Sequence, residues 1–242
     1  MADYGLRIIG EHGATQIDSE YRNHQLVASG SIAHEDMTFV SGSGGASVMY
    51  EMNMPGLTSP LIAFACADAP VFYYESSSGN YLFIKTDPDT ANPAPINYWV
   101  FDLVATAAEP AGYGLVIWNA TGQIAFDSGR KSLSIVDFLL GVDPGGTSGS
   151  GSLDTTYPSG RTYAVAPCRL GFDYVHQALG VGTNFDVLHA KFTTGMMQAG
   201  NVCRLRWVPE YIQILPNNQS PPFSEAYRSA ETDWLIVDVT NY

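Results

Sequence analysis

Apolar and polar residues alternate with a period of two over much of this chain. That is the spacing of half-buried β-strands, not of amphipathic helices. The clearest stretch starts at Tyr113. Tyr113, Leu115 and Ile117 fall on one face, Asn119-Ala120-Thr121-Gly122 supplies turn chemistry, and Ile124 and Phe126 then alternate with Gln123 and Ala125. A β-hairpin is predicted, closed by Asp127-Ser128. The side chains of that pair are expected to bond nearby backbone and end the strand.

The same pattern stands at the start of the chain. Tyr4-Gly5-Leu6-Arg7-Ile8, Gly13 and Asp18-Ser19 recur, 109 residues later and without a gap, as Tyr113-Gly114-Leu115-Val116-Ile117, Gly122 and Asp127-Ser128. A repeat period about one domain long points to the duplication of a small domain rather than to a solenoid. The ends of the two halves are also alike, with Trp99-Val100-Phe101-Asp102 against Trp234-Leu235-Ile236-Val237-Asp238.

Further strands are expected over 20–32, 46–52, 61–66, 71–74, 81–84 and 97–106 in the first half. In the second half they are expected at 133–136, 162–166, 172–175, 185–192, 202–208, 211–215 and 234–239. Phe138-Leu139-Leu140 is read as a single helical turn, and the glycine-rich stretch 141–152 as a flexible surface loop. Many short strands separated by turn signals define an all-β chain. Residues 106–112 are small, proline-bearing and aperiodic, which places a boundary there. The expected architecture is two tandem β-sandwich-like domains, 1–108 and 109–242, related by internal duplication. One large β-domain holding both halves is the alternative.

Composition narrows the partners. The 242 residues are 45% hydrophobic but only 14% charged, well below the usual quarter, and the net charge is −13. Nucleic-acid binders cluster Lys and Arg, so no nucleic-acid partner is expected. Nor is membrane insertion, since no apolar run has the roughly 18 residues a spanning helix needs. The first residues lack the basic and apolar regions of a signal peptide, so assembly in a cytoplasm is expected. Cys66, Cys168 and Cys203 are odd in number and widely spaced, and are read as buried small hydrophobes.

Candidate chemistry is sparse. The loop at 141–152 has no Lys and leads into no helix, so it is no phosphate-cradling loop. His12, His24, His34, His176 and His189 have no metal-ligand spacing, and no Gly-x-Ser-x-Gly elbow exists. Glu51, Asp68, Glu75, Asp87 and Asp89 are the acids weighed for a glycosidase pair, without a spacing that selects two of them. No catalytic, metal or cofactor site is assigned. Tyr73, Tyr74, Tyr81 and Phe83 lie on adjacent strands of one expected hairpin and are the candidate contact residues. They would serve as a stacking platform for sugars or, as cross-strand pairs commonly do, as sheet core.

The segment 113–130 resembles one recurring in tail proteins of tailed bacteriophages, Tyr-Gly-Leu-x-Ile/Val-x-Asn-x-x-Gly, an apolar residue, then Asp-Ser-x-Arg. Residues 4–22 are similar, departing where Glu20-Tyr21-Arg22 replaces Gly129-Arg130. The resemblance covers these two segments only and carries over no binding residue. It implies a non-enzymatic structural component of a virion tail, at the tail tip, baseplate or fibre attachment. Such a chain would form homo-oligomers and contact other tail proteins through β-rich surfaces. A host-receptor module recognising a glycan or pilus is the alternative, and a polysaccharide depolymerase ranks below both.

Overall fold

The computed structural model describes residues 7–9, 15–18, 22–40, 47–86, 92–103, 112–146, 151–179, 186–215 and 227–242. Apart from one 3-10 turn at His34–Asp36, the regular structure among these is strand, so the chain is all-β. The first half holds β1 (Arg7–Ile9), β2 (Thr15–Asp18), β3 (His24–Ile32), β4 (Thr38–Phe39), β5 (Ser47–Met52), β6 (Leu61–Ala65), β7 (Val71–Glu75), β8 (Tyr81–Thr86) and β9 (Ile96–Leu103). The second holds β10 (Val116–Trp118), β11 (Ile124–Asp127), β12 (Ile135–Val142), β13 (Ser152–Thr156), β14 (Tyr163–Arg169), β15 (Phe172–Leu179), β16 (Asp186–Ala199), β17 (Val202–Leu215), β18 (Tyr227–Ser229) and β19 (Thr232–Asp238).

Two antiparallel sheets carry most of them. One runs β12-β19-β14-β6-β9-β3, the other β13-β17-β16-β7-β8-β5-β4, with β15 on the edge of β16 and β18 beyond it. The strand orders repeat between the halves. In the first sheet β3-β9-β6 answers β12-β19-β14, and in the second β5-β8-β7 answers β13-β17-β16. Each half is a hairpin followed by a three-plus-three sandwich. The halves meet edge to edge, equivalent strand on equivalent strand, through the antiparallel pairs Phe64–Val165 and Val71–Met196. Antiparallel pairing of equivalent strands relates the halves by a local twofold.

The register is repeated as well. In the first hairpin Arg7 pairs Asp18, Ile8 pairs Ile17, and Ile9 pairs Thr15 after a bulge. In the second, Val116 pairs Asp127, Ile117 pairs Phe126, and Trp118 pairs Ile124 after a bulge at the same step. The 109-residue offset continues into the next strand. Leu26 pairs Phe101 before a bulge at Val27, and Ile135 pairs Val237 before one at Val136. A bulge is an inserted residue that bends its strand, so the matching positions give both halves the same local bend. At the closing strands Asp102 sits opposite Gln25, and Asp238 donates its N–H to the carbonyl of Ser134. The aspartates are thus the equivalent residues, while the register makes Trp234 the counterpart of Tyr98 rather than of Trp99.

Residues 106–111, where the boundary is expected, lie outside the described residues. The units on either side share their sheets and one core. Between the sheets Phe64 is fully buried, with ring centroids 6.1 Å from Tyr73, 6.2 Å from Phe83 and 6.1 Å from Trp234, all edge to face. Trp234 comes from the second half. A smaller cluster on the far side of the first sheet joins Ala63, Phe101, Ala164, Ala166 and Val237, with Leu26, Leu133 and Tyr242 packed against it.

Close approach at the join depends on Gly195. A Cβ there would lie 2.5 Å from Val208 Cγ2 and 3.0 Å from the carbonyl oxygen of Val71, the neighbouring strand of the other half. Gly195→Ala is expected to push β7 off β16 and cost about 1–3 kcal/mol, the usual range for overpacking. Urea unfolding of the variant against the parent checks it; an unchanged midpoint would contradict the close join.

Several local expectations change. Residues 138–140 are strand, not a helical turn, because they lie in β12, an edge strand with two register shifts that break the alternation. Residues 202–215 are one strand with a bulge rather than two strands. The described part of the 141–152 loop is held in place: Arg228 bonds Asp143 at 2.8 Å and the Gly146 carbonyl at 2.6 Å, and Trp207 Nε1 donates to the Gly145 carbonyl. Cys66 and Cys203 are buried, but Cys168 is exposed, because β14 shifts register between Pro167 and Arg169. Asp87 and Asp89 lie outside the described residues.

Candidate functional site

The second sheet carries a cleft on its outer face. The long strand β16 pairs with β15 from Asp186 to Thr193 and meets β7 at Met196, so two strands share one edge of it in succession. Where one gives way to the other a gap opens, of about 310 Å³. Phe72, Tyr74, Leu170, Gly171 and Phe172 form its apolar walls. Lys191, Thr193 and Glu210 supply the polar side.

Local backbone geometry explains each contribution. On β7 the period of two sends Val71 and Tyr73 toward the core, and Tyr74 outward. Phe72 and Tyr74 stack with centroids 6.3 Å apart and planes 22° from parallel. Tyr74 is 39% exposed and Phe172 38%, so the rim presents two open rings. Opposite them, Lys191 pairs Tyr211 and Phe192 pairs Pro209, which leaves Glu210 as the extra residue of a bulge. A bulge re-aims a side chain. Here it turns Glu210 onto Lys191 Nζ, 2.7 Å from Oε1 and 2.6 Å from Oε2, and onto the Thr193 hydroxyl, which donates to Oε2 at 2.8 Å. Gly171 lets the wall approach closely, since a Cβ would lie 2.8 Å from the Ala230 carbonyl. Burial, and next the charge of Glu210, hold the Tyr74 phenol above its ordinary pKa, so it stays a neutral hydroxyl.

Of the four contact residues expected from sequence, only Tyr74 lines this cleft. Phe83 is fully buried, Tyr81 nearly so, and Tyr73 packs between them with its centroid 5.2 Å from Phe83. The Ile62 N–H donates to the Tyr73 hydroxyl at 3.3 Å. These three are cross-strand core. Phe172, Lys191, Thr193 and Glu210 stand more than 90 positions from Tyr74 in the chain, and no motif singles them out. The one local signal is Pro209, since a proline inside an otherwise strand-like run marks a bulge.

The three candidate acids among the described residues do not converge. Glu51 accepts from Asn80 Nδ2, Asp68 binds Lys85, and Glu75 is exposed. Among the described residues no group of three or more His, Cys, Asp or Glu could hold a metal ion. Burial raises the Cys66 thiol to about 11 and the Cys203 thiol to about 12, so neither is an activated nucleophile. The Asp127-Ser128 pair acts locally. Asp127 accepts the Gly129 N–H at 2.9 Å, and Ser128 Oγ accepts that of Leu115 at 2.8 Å. No family model, curated protein or solved structure matches the chain.

Proposed function

We propose that the chain is a non-enzymatic structural component of a phage virion tail, placed at the tail tip, baseplate or fibre attachment. It assembles with copies of itself and with neighbouring tail proteins through β-rich contacts. The observation that carries this reading is the edge of the second half among the described strands. Ile135, Val136, Phe138 and Leu140 are all exposed on edge strand β12, and Leu115 and Trp118 are exposed on the hairpin that precedes it. Asp137 is the single charge of β12. Edge strands of isolated proteins are usually guarded by charge, and clustered exposed apolar residues mark contact surfaces. The phage resemblance of the two hairpin segments supports the setting.

Mass spectrometry of purified particles of the encoding phage tests the proposal. The chain is expected there at a fixed ratio to the other tail proteins. Particles that lack it would end the reading.

A further inference from the structure

We propose that the cleft between β7 and β15 binds one or two pyranose rings of a neutral saccharide. The cleft alone carries this, independently of the virion reading. A pyranose has an apolar C–H face and a rim of hydroxyls. The cleft offers the complement, with the open rings of Tyr74 and Phe172 on one side and Lys191, Thr193 and Glu210 on the other. Its volume of about 310 Å³ sits at the low end of the roughly 300–1,000 Å³ of small-ligand sites, which suits one or two rings.

Charge selects among ligand classes. Lys191 and Glu210 neutralise each other at 2.6 Å, and the whole chain carries −13, so neither a phosphate nor another anion gains a net attraction. A wholly apolar ligand would strip water from that ion pair and return no hydrogen bond. Sugar hydroxyls do return them, because each donates and accepts. The ammonium has three N–H donors and the carboxylate about four lone-pair sites, more than their mutual contact and the Thr193 hydroxyl occupy among the described residues. The bulge at Glu210 is what brings the carboxylate onto Lys191 and Thr193 at the polar side of the cleft.

The test uses the full chain and a panel of methyl glycosides: glucoside, galactoside, mannoside and N-acetylglucosaminide. Saturation-transfer NMR and amide shifts report binding, with inorganic phosphate as the comparator. At least one glycoside is expected to bind saturably with a Kd of about 1–10 mM, and phosphate is not. Tyr74→Ala, which removes a stacking ring, and Glu210→Gln, which removes a charged hydrogen-bond partner, should each weaken that binding by about tenfold or more. Phe39→Ala, on β4 at the far edge of the same sheet, should leave it unchanged. Amide spectra of the variants confirm folding, and Glu210→Gln keeps the shape of the side chain. No saturable binding by any glycoside, binding that survives both substitutions, or binding of phosphate alone would overturn the proposal.

Discussion

Phe64→Ala is expected to lower the unfolding free energy by about 3–5 kcal/mol, the range for a buried aromatic truncated in a core. Phe64 has no solvent exposure and touches Tyr73, Phe83 and Trp234 edge to face. It also lies at the join, opposite Val165. The loss should therefore be felt by both halves, and the parent should unfold in one urea transition. A double-mutant cycle with Trp234→Phe measures the coupling across the join. A cost below about 1 kcal/mol for Phe64→Ala, the level of an ordinary surface change, would contradict this packing.

The second large effect belongs to Lys85. Its side chain is fully buried, with Nζ 3.0 Å from Asp68 Oδ1 and 2.6 Å from the Ala94 carbonyl. Asp68 Oδ2 accepts the Ala94 N–H at 2.6 Å, so the pair clamps both sides of one residue between β8 and β9. Removing one partner leaves a buried charge uncompensated. Asp68→Asn should cost about 3 kcal/mol, the lower end for broken buried pairs because Asp68 is partly open to water. Lys85→Met in addition should recover part of it. Urea unfolding of the single and double variants measures both; a cost within about 0.5 kcal/mol of zero for Asp68→Asn would contradict the clamp.

The same carboxylate gives a pH dependence. Burial pushes Asp68 up, but hydrogen bonds from the Cys66 thiol, Lys85 and Ala94 outweigh it and hold the group below its ordinary value. The unfolded chain then binds the proton more readily than the folded one. The stabilisation is complete above the unfolded pKa of about 3.9 and fades as pH falls through the lowered folded value. Thermal unfolding between neutral and strongly acid pH should show a shallower acid decline in Asp68→Asn than in the parent.

What is legible in the sequence and what is hidden there follow from range. The hairpins can be read because their signals are local: alternation, a turn that ends in glycine and an Asp-Ser stop. The repeat then places both hairpins in one register. The middles of the halves resist alignment, since β15 and β18 have no counterpart among the described strands of the first half. The offset accordingly grows from 109 between Leu26 and Ile135 to 136 between Asp102 and Asp238. The cleft is hidden for the same reason. Tyr74 announces itself in an aromatic run, whereas Glu210 acquires its role only from a bulge that brings it to Lys191. Three adjacent apolar residues at 138–140 look helical until they are placed on an edge strand, where two register shifts break the alternation.

Two sister units close one core through β6–β14 and β7–β16. Nuclear Overhauser contacts between the backbones of Phe64 and Val165, and of Val71 and Met196, in the full chain test this most directly. Strong contacts at both pairs are expected, with a single correlation time for the whole molecule. Absence of both, with the halves tumbling at different rates, would contradict it.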